Sequence, residues 1–195
     1  MSGTVPSKKF VRKELLERRR SLPEDAWLAL SSMIVSETLK IAEIDDACSV
    51  MVYLSIVSLR EVETSNLCRR LHDAGKCLCV PALIDGHIVP VRYRPGDPLA
   101  SGMFGQPEPT TLSMIDPQEL EAVIVPLVGI DAHGYRMGYG KGFYDRFLAG
   151  LVDSGYSPCR IGLGFRMQFV SDLPADPWDE PLDYAVHEGG IVQFT

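Results

Sequence analysis

The sequence is short of positive charge. Its 195 residues hold 19 Lys and Arg against 26 Asp and Glu, a formal net charge of −7 at pH 7. A general nucleic-acid binder needs a basic face, so nucleic acid is not expected as a partner. A small anionic ligand stays open, because a local cluster of Lys and Arg can set the field inside a cleft. No apolar run reaches membrane-spanning length, and no membrane partner is expected. The basic residues near the N-terminus are not followed by an apolar stretch, which argues against a secretory signal. Glu14 and Glu17 interrupt them, which argues against a transit peptide. A cytoplasmic protein is the expectation. Cys48, Cys68, Cys77, Cys79 and Cys159 are odd in number and include no C-x-x-C pair, so buried free thiols are expected rather than a disulfide framework.

Internal repeats and low-complexity linkers are also missing, so residues 1–195 are expected to form a single domain. Apolar spacing predicts a helix over 8–20, with Val11, Leu15 and Leu16 on one side. Ser21-Leu-Pro-Glu24 has the form of a capping box opening a second helix that runs to about residue 41. Short apolar runs predict strands over 49–54, 76–83, 88–93, 122–128, 160–165, 184–187 and 191–194. Helices are expected over 64–74 and 141–151. Strands alternating with helices imply an α/β fold, a three-layer α/β/α arrangement around a mostly parallel sheet. In such sheets ligands gather beyond the carboxyl ends of the strands. Residues 94–121 are dense in Pro and Gly and should form a long connection with little regular structure, either functional or a covering excursion.

The stretch from Val125 to Asp145 carries the most chemistry. It leaves a buried strand, turns, and enters Gly138-x-Gly140-Lys141-Gly142 before a helix. Glycines at alternate positions allow left-handed backbone and close approach of a ligand. Successive N–H groups in such a turn form a nest for anions, and the helix start adds partial positive charge. Arg136 and Lys141 bring full charges to the same place. The spacing is neither that of the phosphate loop of ATPases nor that of the dinucleotide fingerprint. A tight strand-to-helix turn with no ligand is the plainer alternative. Asp145, one turn further on, is suitably placed to hold Mg²⁺ against phosphates. Lys8, Lys9, Arg12 and Lys13 crowd the opening of the first helix, where the helix dipole disfavours cations. Lys8 and Arg12 share a face at i, i+4 and suit two phosphate oxygens, or simply a solvated basic face.

Taken in order, these pieces resemble the 5-formyltetrahydrofolate cyclo-ligase family. The resemblance runs from Lys8-x-x-x-Arg12 through Tyr53-Leu-Ser, Glu61-Val-Glu-Thr64, Gly75-Lys-x-x-x-x-Pro81 and Phe104-Gly-x-x-Glu-Pro109. It is sharpest at GYRMGYGKGFYDRFL over 134–148 and ends at Trp178-Asp-Glu-Pro-Leu-Asp183. It implies a fold near the sugar-phosphate isomerase and CoA-transferase group. It also implies ATP- and Mg²⁺-dependent conversion of 5-formyltetrahydrofolate to 5,10-methenyltetrahydrofolate, ADP and phosphate, by a monomer or weak homo-oligomer. Carried over residue by residue, Lys8, Lys9, Arg12, Arg136, Met137, Gly138, Tyr139, Gly140, Lys141, Gly142, Phe143 and Tyr144 would bind ATP. Lys141 and Arg136 would act on the transferred group. Leu54 and Glu61 would line the folate site with Tyr139, Gly140, Lys141, Gly142 and Phe143, Glu61 accepting hydrogen bonds from the pterin's N–H edge. Asp145 and Asp179 would hold Mg²⁺. Three departures stand out: a longer loop between Leu54 and Glu61, Trp178 where a His is usual, and His187 in place of a Thr. A sensor that binds without turnover, and an isomerase or transferase of another phosphorylated metabolite, are the rival readings. The plainer reading of Glu61 is an exposed carboxylate at a helix start.

Overall fold

The computed structural model describes residues 7–173 and 180–194. Ser7 caps the first helix, α1 (Lys8–Arg20), by accepting from the Phe10 N–H at 3.3 Å. The predicted capping box at Ser21 and Glu24 does not form. Ser21 instead closes α1, its hydroxyl donating to the Arg18 carbonyl at 2.7 Å, and Pro23 stands at the start of α2 (Glu24–Thr38). Pro23 fixes its own backbone for helix entry, and Glu24 and Asp25 in the first turn suit the positive end of the helix. The second helix also stops earlier than expected, and Ile41 restarts the chain as a short α3 (Ala42–Asp46).

Then come β1 (Ser49–Val52), α4 (Ser65–Asp73), and the hairpin β2 (Cys77–Ile84) and β3 (His87–Arg92). The Pro-rich connection is not wholly irregular, since it folds a small antiparallel pair, β4 (Leu99–Ser101) and β5 (Pro107–Pro109). The chain continues through β6 (Ala122–Pro126), a small hairpin of β7 (Gly129–Ile130) and β8 (Arg136–Met137), and α5 (Phe143–Asp153). It ends in β9 (Cys159–Leu163), β10 (Tyr184–His187) and β11 (Gly190–Gln193). The last helix begins two residues later than predicted because Gly142 takes a left-handed conformation, φ 65°, which keeps Lys141 and Gly142 outside it.

One seven-stranded sheet has the order β11-β10-β9-β6-β1-β2-β3. Its inner pairs are parallel, and the edge strands β3 and β11 run antiparallel to their neighbours. Side chains alternate across it. Val50, Val52, Val80 and Ile124 pack with Trp27 and Ile34 of α2 and Leu67 and Leu71 of α4. Met51, Cys79, Val123 and Val125 pack on the other face with Leu148 of α5. Helices thus cover both faces, as the three-layer reading requires. Among the described residues no helix is long and apolar enough to cross a membrane. The five thiols are free, but not all are buried: Cys48, in the turn before β1, is exposed.

Candidate active site

A cleft of about 630 Å³ opens beyond the carboxyl ends of β1 and β6, the place an open parallel sheet offers to ligands. Its floor holds Tyr53 and Leu54, which follow β1, and Pro126, which ends β6. The β7–β8 hairpin carries Arg136 into it. That hairpin is tied by Asp131, whose Oδ1 accepts from the N–H groups of His133 at 2.9 Å and Tyr135 at 3.0 Å.

The predicted cradle follows directly. Gly140 has φ 84°, a left-handed conformation that favours glycine, and a side chain there would press on the Arg12 guanidinium at 3.3 Å. Arg12 reaches across from α1 and donates through Nε to the Gly138 carbonyl at 2.8 Å. Lys8 lines the same end of the cleft, one turn earlier on α1. Lys9 is exposed and lies outside the lining, since one residue of helix turns its side chain away. Lys141 is exposed at the cleft mouth, its Nζ 5.3 Å from the centre of the Phe104 ring. Phe104, beyond β4, also packs against Phe143, the tilted rings 5.7 Å apart between centres, so the Pro-rich excursion forms one wall of the cleft.

Arg136 is the most telling member. Its side chain is 3% exposed and its NH1 pairs with Asp145 Oδ1 at 2.9 Å. Nε and NH2 are buried with no partner among the described residues, and so is the Tyr144 hydroxyl. Buried donors left unpaired are costly, and an acceptor that reached them would offset that cost. Asp145 offers Arg136 one oxygen, and its other lies against Gly142, 4.0 Å from where a Cβ would be. Among the described residues no group of three His, Cys, Asp or Glu gathers into a metal site. A single carboxylate beside a glycine-rich loop still fits Mg²⁺, which keeps several waters and can take further ligands from phosphates. Asp179, the other expected ligand, lies outside the described residues.

Glu61 also lines the cleft and is 3% exposed, so its reading as an exposed helix-start carboxylate is overturned. The longer loop before it closes through a 3₁₀ turn, Val57–Leu59, and a left-handed Arg60 at φ 51°. That turn aims the Glu61 carboxylate back, where Oε2 accepts the Ile56 N–H at 2.7 Å. Trp27 of α2 holds the backbone at the same point, donating to the Glu61 carbonyl at 2.6 Å. Oε1 accepts from the Tyr139 hydroxyl at 2.5 Å. Burial raises the Glu61 carboxyl above its ordinary range, against the opposing pull of these hydrogen bonds and of Arg19. Burial also raises the Tyr139 and Tyr144 phenols, so both keep their protons. Arg19 was not among the expected site residues. The one signal for it was its place on α1, seven residues after Arg12 and so on nearly the same face.

The structure therefore gathers Lys8, Arg12, Leu54, Glu61 and the run from Arg136 to Asp145 around one cleft. The model of the 5-formyltetrahydrofolate cyclo-ligase family matches residues 4–188. This chain belongs to that family. Cyclo-ligases from Haemophilus influenzae and Escherichia coli are 28% and 29% identical to it, over 88% and 91% of its length and 92% and 98% of theirs. The solved 5,10-methenyltetrahydrofolate synthetase of Aquifex aeolicus superposes with a TM-score of 0.82 at 30% identity, covering 95% of this chain and 92% of its own. The Mycoplasma pneumoniae synthetase, at 23% identity and a TM-score of 0.75, shares the fold. Cyclo-ligase membership thus matches the resemblance read from the motifs.

Proposed function

We infer that this chain catalyses the ATP-dependent cyclisation of 5-formyltetrahydrofolate to 5,10-methenyltetrahydrofolate, with release of ADP and phosphate. One observation carries the reading beyond family membership: Arg136, with buried donors that no described residue accepts, and Glu61, with its buried carboxylate, line the same cleft. Such a cleft suits a polyanion beside a hydrogen-bond-donating heterocycle.

The N5-formyl group is an amide, and its oxygen cannot leave as oxide. The formyl oxygen attacks the γ-phosphorus of ATP, the bond to the β-phosphate oxygen breaks, and ADP departs. The resulting iminium phosphate holds an electrophilic carbon next to N10 of the same molecule. N10 attacks that carbon and loses its proton, the C–O bond breaks, and phosphate leaves with the former formyl oxygen. Closing a five-membered ring benefits from effective molarities of about 10⁵–10⁸ M, so the protein need supply no covalent nucleophile.

Its residues position and neutralise. Lys8 and Arg12 hold nucleotide phosphates, with the N–H groups of the cradle around Gly138, Gly140 and Gly142. Arg136 and Lys141 stabilise the group in flight, Arg136 through the two nitrogens that no described protein atom accepts. Glu61 accepts the pterin's N–H edge, and Leu54 with the rings of Tyr139 and Phe143 flanks the folate. Mg²⁺, held by Asp145 and Asp179, would neutralise phosphate charge. On this reading the protein acts in the cytoplasm as a monomer or weak homo-oligomer on two small-molecule substrates, without nucleic acid or membrane.

The test mixes the protein with 5-formyltetrahydrofolate and Mg-ATP and follows methenyltetrahydrofolate by its near-ultraviolet absorbance. ATP-dependent growth of that signal is the expected result. A flat trace from protein that binds ATP would refute the assignment and favour a sensor.

A further inference from the structure

Arg19 is 1% exposed, and its guanidinium is spread over three segments that build the cleft. Nε donates to the Leu59 carbonyl at 2.8 Å, just ahead of Glu61. NH1 donates to the Leu127 carbonyl at 3.0 Å, just past β6. NH2 donates to the Tyr139 hydroxyl at 2.6 Å, inside the phosphate cradle. Tyr139 in turn meets Glu61 Oε1. A guanidinium only donates and an ionised carboxylate only accepts, so the hydroxyl must accept from Arg19 and give its single proton to Glu61. A buried cation and a buried anion are thereby joined through one oxygen.

We propose that Arg19, acting through the Tyr139 hydroxyl, is a positioning residue that keeps the Glu61 carboxylate charged and aimed at the pterin. The inference rests on the functional reading above, which makes Glu61 the acceptor for the pterin's N–H edge. A protonated Glu61 would present a donor where the pterin presents donors. Burial drives it that way, and a buried charge persists only when paired and hydrogen-bonded. The titratable groups that act on Glu61 or feel its charge are Arg19 from α1, Tyr53 after β1, Tyr139 from the cradle and Tyr144 from α5. Of these four, Arg19 alone carries positive charge. The α2 helix adds only the neutral Trp27 indole. The same link ties Glu61 to the glycine-rich loop.

The test is steady-state kinetics of the full chain carrying Tyr139→Phe, Arg19→Lys, or both, with KM for each substrate measured across about pH 5 to 9. Tyr139→Phe should raise KM for 5-formyltetrahydrofolate roughly tenfold, the scale of a hydrogen bond to a charged group, while KM for ATP changes less than about twofold. The acid limb of 1/KM for folate should move up by about one pH unit, because the charged form of Glu61 has lost a donor. If Arg19 acts through Tyr139, the double variant should be little worse than Arg19→Lys alone. A limb that stays in place, equal rises in both KM values at every pH, or multiplicative losses would overturn the proposal. Should Arg19→Lys fail to fold, Tyr139→Phe, which keeps the ring, decides through the limb alone. A wild type that makes no methenyl product overturns the functional reading and this inference with it. A wild type that turns over beside variants with an unmoved limb overturns this inference only.

Discussion

Within the cleft Arg136 keeps two buried nitrogens that no described residue accepts, whereas each oxygen of Glu61 already accepts a hydrogen bond. The first arrangement stores an unmet demand. Each buried donor without a partner costs about 1–3 kcal/mol, and a phosphate oxygen that answers it recovers that cost on binding. The second arrangement is finished before the ligand arrives. A carboxylate has about four acceptor sites, so Glu61 can keep Ile56 and Tyr139 and still receive a pterin. Unmet demand suits a group that develops charge only as the reaction proceeds, and a completed network suits recognition of a fixed heterocycle.

Mutations can break this contrast, and the largest effect is expected at Lys141. Lys141→Ala should lower kcat by about 10³-fold or more, the scale of losing a charge that stabilises a transferring phosphoryl group. The side chain stands at the cleft mouth, so the melting temperature should stay near that of wild type, and calorimetry beside the kinetics checks both. Arg136→Lys comes next. It keeps a charge for Asp145 and removes the fork, so turnover should fall by about 10²-fold. The thermal shift produced by Mg-ATP should shrink with it, because a ligand stabilises only as far as it binds. A full ATP shift in that variant would mean the unpaired nitrogens do not face phosphate.

Glu61→Gln probes the other arrangement, with KM for folate expected to rise about tenfold while KM for ATP holds. It should also abolish the acid limb of folate binding. The sign for stability is opposite to that for function. Because burial raises this carboxyl in the fold, its linkage stabilises the fold when protonated, and that contribution fades as pH rises through the folded value. On the proposed reading folate binding needs the ionised form and should fade as pH falls through the same value. The glutamine variant should lose both trends, by thermal melts and by KM against pH. The smallest effect belongs to Gly140→Ala, where a methyl group would press on Arg12 and force a left-handed residue. A rise of several-fold in KM for ATP is expected, larger than any change in KM for folate.

What could be read beforehand divides along the same line. The cradle was legible because its glycines, Arg136, Lys141 and Asp145 lie within ten residues of one another, after a strand made plain by Val123, Ile124 and Val125. Local backbone geometry alone gives such a loop its shape. The α1 span was also recovered as it stands, since nothing distant competes with its spacing. The surroundings of Glu61 were harder, because their order comes from contacts far apart in the chain. Seven Lys and Arg crowd the 13 residues of α1, and nothing local singles out Arg19 as the buried one. Its partners lie 40, 108 and 120 residues away. The burial of Glu61 depends likewise on Trp27 and on the left-handed turn at Arg60. The capping box failed for a local reason, since Ser21 was already committed to ending α1 and Pro23 could begin α2 without a side-chain cap.

The central claim is that the formyl oxygen is phosphorylated in this cleft and leaves as part of phosphate. It is tested most directly with 5-formyltetrahydrofolate carrying ¹⁸O in the formyl group, incubated with the protein and unlabelled Mg-ATP, and mass analysis of the phosphate released. The account predicts one ¹⁸O in each phosphate, formed in step with methenyltetrahydrofolate. Unlabelled phosphate alongside methenyltetrahydrofolate would mean that ATP is cleaved by water, and would contradict it.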